Sequence, residues 1–205
     1  VGVNHFGHAF LVRQLYGKLT ADAKKRKAAD VRVVVLSSSA HSMGSVQVQD
    51  LHFATKERKY SQWGAYGQSK QCNLLFAKGL ALKLEKEGHG SYITAMSLHP
   101  GVIQTALWRE TALATNAFVK WVGSLFLMNK TIPQGAATTL FAALSPSAGP
   151  TATTAGFRGG YLEDCDLSVP KVAEAEDLAL VQALWEETEK QLSEKQAQLD
   201  KGKAG

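Results

Sequence analysis

Cysteine is scarce in this chain. Its 205 residues hold two, Cys72 and Cys165, far apart and too few for a disulfide framework, which fits a reducing compartment such as the cytoplasm. His5 and His8 lie three apart, but no cysteine or carboxylate nearby completes a ligand set, so no metal is expected. No apolar run reaches the roughly 18 residues that a membrane-spanning helix needs. A secretory leader is not expected either, although the sequence opens on Val rather than Met. Aromatic residues make up 8% and are not interleaved with basic ones along any element, so a nucleic-acid partner is not expected. Internal repeats and low-complexity tracts are also missing.

The charge excess is small: 23 Lys and Arg against 18 Asp and Glu give +5. Part of it is one run, Lys24-Lys25-Arg26-Lys27, which reads as a solvated helix end where cations suit the dipole. With 45% hydrophobic residues, the chain can bury a core as a single domain over 1–205.

Periodicity divides that domain into elements. Phe6, Phe10, Leu11, Leu15 and Leu19 recur at helical spacing, which predicts a helix from about residue 3 to the low twenties. The β-branched run RVVVLSS at 32–38 reads as a strand buried on both faces, as in a parallel sheet. A polar stretch from Ser39 to Ser61 follows, and connections that long are often functional. A helix is expected over 62–87, with Leu74, Leu75, Ala77, Leu80 and Leu82 on its apolar face and Gly88 as its stop. A strand over 92–98 runs into His99-Pro100-Gly101. Helices are expected over 103–128 and 132–144, the latter with Pro133 in its first turn. A last short strand falls at 159–164. A final helix over 174–195 carries Leu178, Val181, Leu184, Trp185 and Leu192, and the tail 196–205 is expected to fray. Strands that alternate with helices argue for an α/β fold built on a parallel sheet.

Ligands of open α/β sheets bind just beyond the carboxyl ends of the strands. Two such ends carry distinctive residues: Ser37-Ser38-Ser39, and His99-Pro100-Gly101-Val102-Ile103-Gln104-Thr105. The helix between them opens with Tyr66 and Lys70, four apart and so on one face. A chain with five tyrosines and many lysines gives one such pair by chance roughly one time in three, so the pair alone decides nothing. An ammonium beside a phenol stabilises the phenolate, which suits proton exchange with an alcohol or carbonyl. Serines after a strand are also common turn residues, and Asn4 also suits a helix N-cap.

Four pieces, VNHFGHAFLV (3–12), RVVVLSSSAH (32–41), AYGQSKQCNLLFAKGL (65–80) and SLHPGVIQT (97–105), occur in the order found in short-chain dehydrogenases/reductases. The SSSAH and AYGQSK wording, with GGYLEDC (159–165) and LWEETEKQL (184–192), most resembles the retinol-dehydrogenase-like branch. The resemblance implies the C-terminal portion of a Rossmann-type parallel sheet with flanking helices. It also implies an NAD- or NADP-dependent oxidoreductase that interconverts an alcohol and a carbonyl. Tyr66 would then be the proton donor or acceptor. Lys70 would hydrogen-bond the nicotinamide ribose, and Ser38 the substrate oxygen, with Ser37 one residue away in the same run. Asn4 would anchor a water linking Lys70 to solvent. Pro100, Gly101, Val102 and Thr105 would border the nicotinamide. Residues 106–128 would be the substrate loop, and their Leu107, Trp108, Phe118, Trp121, Leu125, Phe126 and Leu127 suggest a small apolar alcohol or carbonyl compound. Ordinary helix packing, or a helix lying on a membrane surface, accounts for the same composition.

The family's glycine-rich turn, which receives the pyrophosphate at a helix N-terminus, does not precede Asn4, and only three of its strands are expected. Two readings follow: an oxidoreductase whose upstream half lies outside this sequence, or a non-catalytic piece that binds no dinucleotide.

Overall fold

The run VRVVVL forms strand β1 (Val31–Leu36). In this computed structural model, which describes residues 1–25, 30–103, 130–150 and 155–203, β1 pairs in parallel with β2 (Ile93–His99), from Val31 against Ile93 to Leu36 against Leu98. The crossover between them is helix α2 (Gln62–Lys86), as parallel pairing requires. β3 (Tyr161–Glu163) adds in parallel to β2. β4 (Asp166–Ser168) then turns back antiparallel on β3, a fourth strand that the sequence did not lead us to expect. The turn between them holds Asp164 and Cys165 at φ 52 and 63, left-handed values for which Asn and Gly are the usual signal.

The first helical segment is a π-helix over Gly2–Gly7 that continues into α1 (His8–Lys25). α3 spans Ile132–Leu144 behind a capping box between Thr131 and Gln134, with Pro133 in its first turn. α4 runs from Leu178 to Lys203. The expected frayed tail is therefore helical through Lys203. Its Glu, Lys, Gln, Ala and Leu are strong helix formers, and Gln196 Nε2 donates to Asp200 Oδ1 one turn on, at 2.9 Å.

Strand alternation sorts the core into two layers. Val33, Val35, Ile93 and Ala95 face α1 and α2, among Ala9, Phe76, Leu80 and Leu84. Val34, Met96, Leu98 and Leu162 face the other way, against Phe141 and Ala142 of α3. Leu74 and Leu75 of α2 meet Val181 and Leu184 of α4. β1 is covered on both faces as expected but lies at the edge of the order β1-β2-β3-β4, so only Val35 is fully buried. Four expected core residues lie outside: Leu11, Leu15, Leu82 and Leu178 are exposed. Each extends an apolar stripe past the width its helix buries. Gly88 stops α2 at φ 73, as its lack of a Cβ allows.

Candidate functional site

The carboxyl ends of β1, β2 and β3 share one edge of the sheet, and the beginning of α2 is drawn to that edge. Ser61 caps α2 by accepting from the Gly64 amide at 3.0 Å. Tyr66, Lys70 and Asn73 follow along one stripe. Lys70 Nζ donates to the carbonyl of Leu36, the last residue of β1, at 3.3 Å. The same nitrogen lies 5.7 Å from the centre of the Tyr66 ring. Burial lowers the pKa of Lys70 from its ordinary value, and no carboxylate pairs with it among the described residues.

The serine run divides by environment. Ser37 is buried, and its hydroxyl donates to the Lys70 carbonyl at 2.7 Å. Ser38 is half-buried, and its Oγ accepts from the Ala40 amide at 3.2 Å, capping the short turn Ser39–Met43. That contact uses a lone pair and leaves the Ser38 proton free to donate. The turn is pressed onto α2 by two glycines. A Cβ on Gly67 would come within 2.6 Å of both the Ala40 carbonyl oxygen and the Gly44 nitrogen, so no other residue fits there.

Asn4 is not a helix N-cap. It lies inside the π-helix, and its Nδ2 donates to Ser69 Oγ at 3.0 Å. Ser69 in turn donates to the Tyr66 carbonyl at 2.7 Å. Asn4 thus meets α2 between Tyr66 and Lys70. At the neighbouring edge, Pro100, Gly101 and Val102 leave β2 half-buried. Gly101 takes φ 87, and a Cβ there would strike the side chain of Lys130. Lys130 is held by an ion pair with Asp164 in the β3–β4 turn. Thr105 and the whole of 106–128 lie outside the described residues.

Other residues that support the site carried no periodic signal. His41 is fully buried; its Nδ1 donates to the Ser38 carbonyl at 2.6 Å and its Nε2 accepts from the Lys171 amide at 3.0 Å. Burial holds its pKa below the usual histidine value. Gln68 Nε2 donates to the Leu51 carbonyl at 2.8 Å, and Gln71 Oε1 accepts from the Val46 amide at 3.1 Å. These buried glutamines of α2 pin the long connection 39–61 from inside. Only the helical phase they share with Cys72 and Leu75 hinted at their burial.

The edge fits a ligand with neighbouring hydroxyls. The Lys70 ammonium has three hydrogens and one protein acceptor among the described residues, the Leu36 carbonyl. The two that remain suit the diol of a nucleoside ribose.

Three comparisons bear on this geometry. No family model matches the chain. It is 37% identical over 183 residues to short-chain dehydrogenase TIC 32 B of Brassica napus, covering 89% of this chain and 53% of that protein. It is 34% identical over 189 residues to human retinol dehydrogenase 13, covering 91% and 51%. A crystal structure of an uncharacterised protein from Mycobacterium paratuberculosis superposes with a TM-score of 0.53 at 29% identity, over 80% of this chain and 51% of that one. The chain spans about half the length of the curated relatives it matches.

Proposed function

The chain belongs to the short-chain dehydrogenase/reductase family, in its retinol-dehydrogenase-like branch, and on that premise we propose that the full-length protein interconverts an alcohol and a carbonyl with NAD or NADP. The observation that carries this reading is the hydrogen bond from Lys70 Nζ to the Leu36 carbonyl, which sets the ammonium beside the Tyr66 ring at the carboxyl end of β1, two residues before Ser38. The dinucleotide, when bound, supplies or takes up the hydride. Tyr66 exchanges a proton with the substrate oxygen. Lys70 keeps its positive charge beside the phenol and offers its free hydrogens to the ribose. Ser38 donates its free hydroxyl proton to the substrate oxygen. Asn4 holds α2 in place through Ser69 and anchors a water on the way to solvent. Pro100, Gly101, Val102 and Thr105 border the nicotinamide.

An apolar substrate suits this edge. Trp63, one turn before Tyr66, is 44% exposed, and its ring meets that of Tyr66 edge-on at 6.4 Å. Relatives that carry the name retinol dehydrogenase support the same reading. The test is Tyr66→Phe in the full-length protein, assayed with apolar alcohols and aldehydes and both dinucleotides. Turnover should fall by roughly 10²–10⁴-fold with dinucleotide affinity nearly unchanged. Turnover close to that of the parent protein would overturn the assignment.

A further inference from the structure

A carbonyl oxygen can accept two hydrogen bonds, and the Leu36 carbonyl accepts two. Lys70 Nζ donates at 3.3 Å and Asn73 Nδ2 at 2.9 Å. The two donors stand three residues apart on α2, on the same face. The shorter bond from Asn73 occupies one lone pair and confines the ammonium to the other. The remaining ammonium hydrogens are thereby turned outward from the strand end.

Asn73 can do this only with its amide in one orientation, because the flipped amide would set Oδ1 against the Leu36 oxygen. In the observed orientation Oδ1 is buried and has no partner, and neither has Nδ1 of His5. The two side chains lie beside one another. Burial lowers the His5 pKa to about 4, against a hydrogen-bonding contribution from Asn73 that raises it. Thr188 Oγ1 donates to the Leu184 carbonyl of α4 at 2.7 Å, so the neutral imidazole carries its proton on Nε2 and donates to Thr188 Oγ1 at 2.9 Å, and the Asn73 amide is oriented by the Leu36 carbonyl. Asn4 and His5 are consecutive in the π-helix, and they reach Ser69 and the neighbourhood of Asn73, one turn apart on α2. Short π-helical stretches recur at functional sites.

We propose that Asn73 is a positioning residue that aims the Lys70 ammonium through their shared carbonyl. The inference rests on the reading of Lys70 as the group that meets the dinucleotide. The test is a double-mutant cycle in the full-length protein, read as the Kd of the reduced dinucleotide by fluorescence and, separately, as turnover. Asn73→Leu should weaken the dinucleotide by about five-fold, the scale of one hydrogen bond's share. In a Lys70→Met background the same substitution should change Kd less than about two-fold, because its effect passes through Lys70. If the loss is undiminished in that background, or absent in the parent, the inference fails. If Lys70→Met alone leaves Kd and turnover untouched, the underlying reading of Lys70 fails instead. Should Asn73→Leu not fold, Asn73→Ala removes the same donor with less bulk, and the same cycle should give a like loss that vanishes with Lys70→Met. An Asn73→Ala loss that persists there, or no loss at all, overturns the proposal equally.

Discussion

Ser37 and Ser38 are chemically identical and adjacent, yet their hydroxyls face different tasks. Ser37 is 3% exposed and donates inward to α2, so Ser37→Ala should cost about 1 kcal/mol of stability and leave turnover within a few-fold. Ser38→Ala should lower turnover on the order of 10²-fold as loss of an oxyanion donor does, while its lost cap on the Ser39–Met43 turn costs about as much stability as Ser37→Ala. Paired thermal melts and assays of the two variants decide it, and the opposite pattern in turnover would move the role to Ser37. His5 makes a second prediction at this scale. Its pKa is about 4 when folded, against 6.5 for an ordinary histidine. Between those values the unfolded chain binds a proton that the folded chain refuses. Stability is therefore complete above about pH 6.5 and falls as the pH drops toward 4, by roughly 3 kcal/mol over the full window. Burial also lowers His41 and His99, so they add to the fall with the same sign. Urea midpoints should decline across this range, and His5→Gln should flatten part of the decline. A midpoint independent of pH would contradict the burial of His5.

Between elements, the approach of α2 to the Ser38 turn depends on two residues without side chains. Gly44 and Gly67 let the backbones meet, and a Cβ on either would sit 2.6 Å from an atom of the other. Gly67→Ala should therefore push Tyr66 away from Ser38, costing on the order of 1–3 kcal/mol from overpacking and depressing turnover out of proportion to the melting temperature. An alanine variant with parental stability and rate would show that the turn can give way. The same contact explains why the long polar connection is ordered. Gln68 and Gln71 hold its backbone from the helix, and Leu51 and Val46 are buried beneath it.

At the scale of the molecule, β1 has β2 on one side and no strand on the other among the described residues. Its Leu36 is 42% exposed. An uncovered apolar edge strand pairs readily with other chains. Residues 1–205 expressed alone should accordingly self-associate, and sedimentation velocity should show species larger than a monomer that grow with concentration. A soluble monomer at high concentration would mean that the edge is protected in a way its exposure does not suggest. Titration of the same polypeptide with both reduced dinucleotides should give no saturable signal, because the residues proposed to meet the dinucleotide within it are those of the nicotinamide rim and the Tyr66–Lys70 face, and no glycine-rich phosphate turn precedes Asn4. Micromolar binding would overturn that expectation.

The order of the helices and of the three parallel strands was legible among the described residues because it depends on local pattern, whereas the short antiparallel β4 was not. A β-branched run can hide both faces only in a parallel sheet, and four-residue spacing places Tyr66 and Lys70 together whatever surrounds them. Pro133 and Gly88 likewise act through their own backbone angles. Burial depth was less legible: Leu11, Leu82 and Leu178 share the periodicity of the core and lie outside it, since periodicity tells phase and not how wide a stripe the neighbours cover. The split between Ser37 and Ser38, the hold of Asn4 on Ser69, and the contact of His5 with Thr188 belong to tertiary structure alone. Asn4 and Ser69 are 65 residues apart, and His5 and Thr188 are 183 apart. No local spacing encodes such contacts; they exist because α1, α2 and α4 pack on the same face of the sheet.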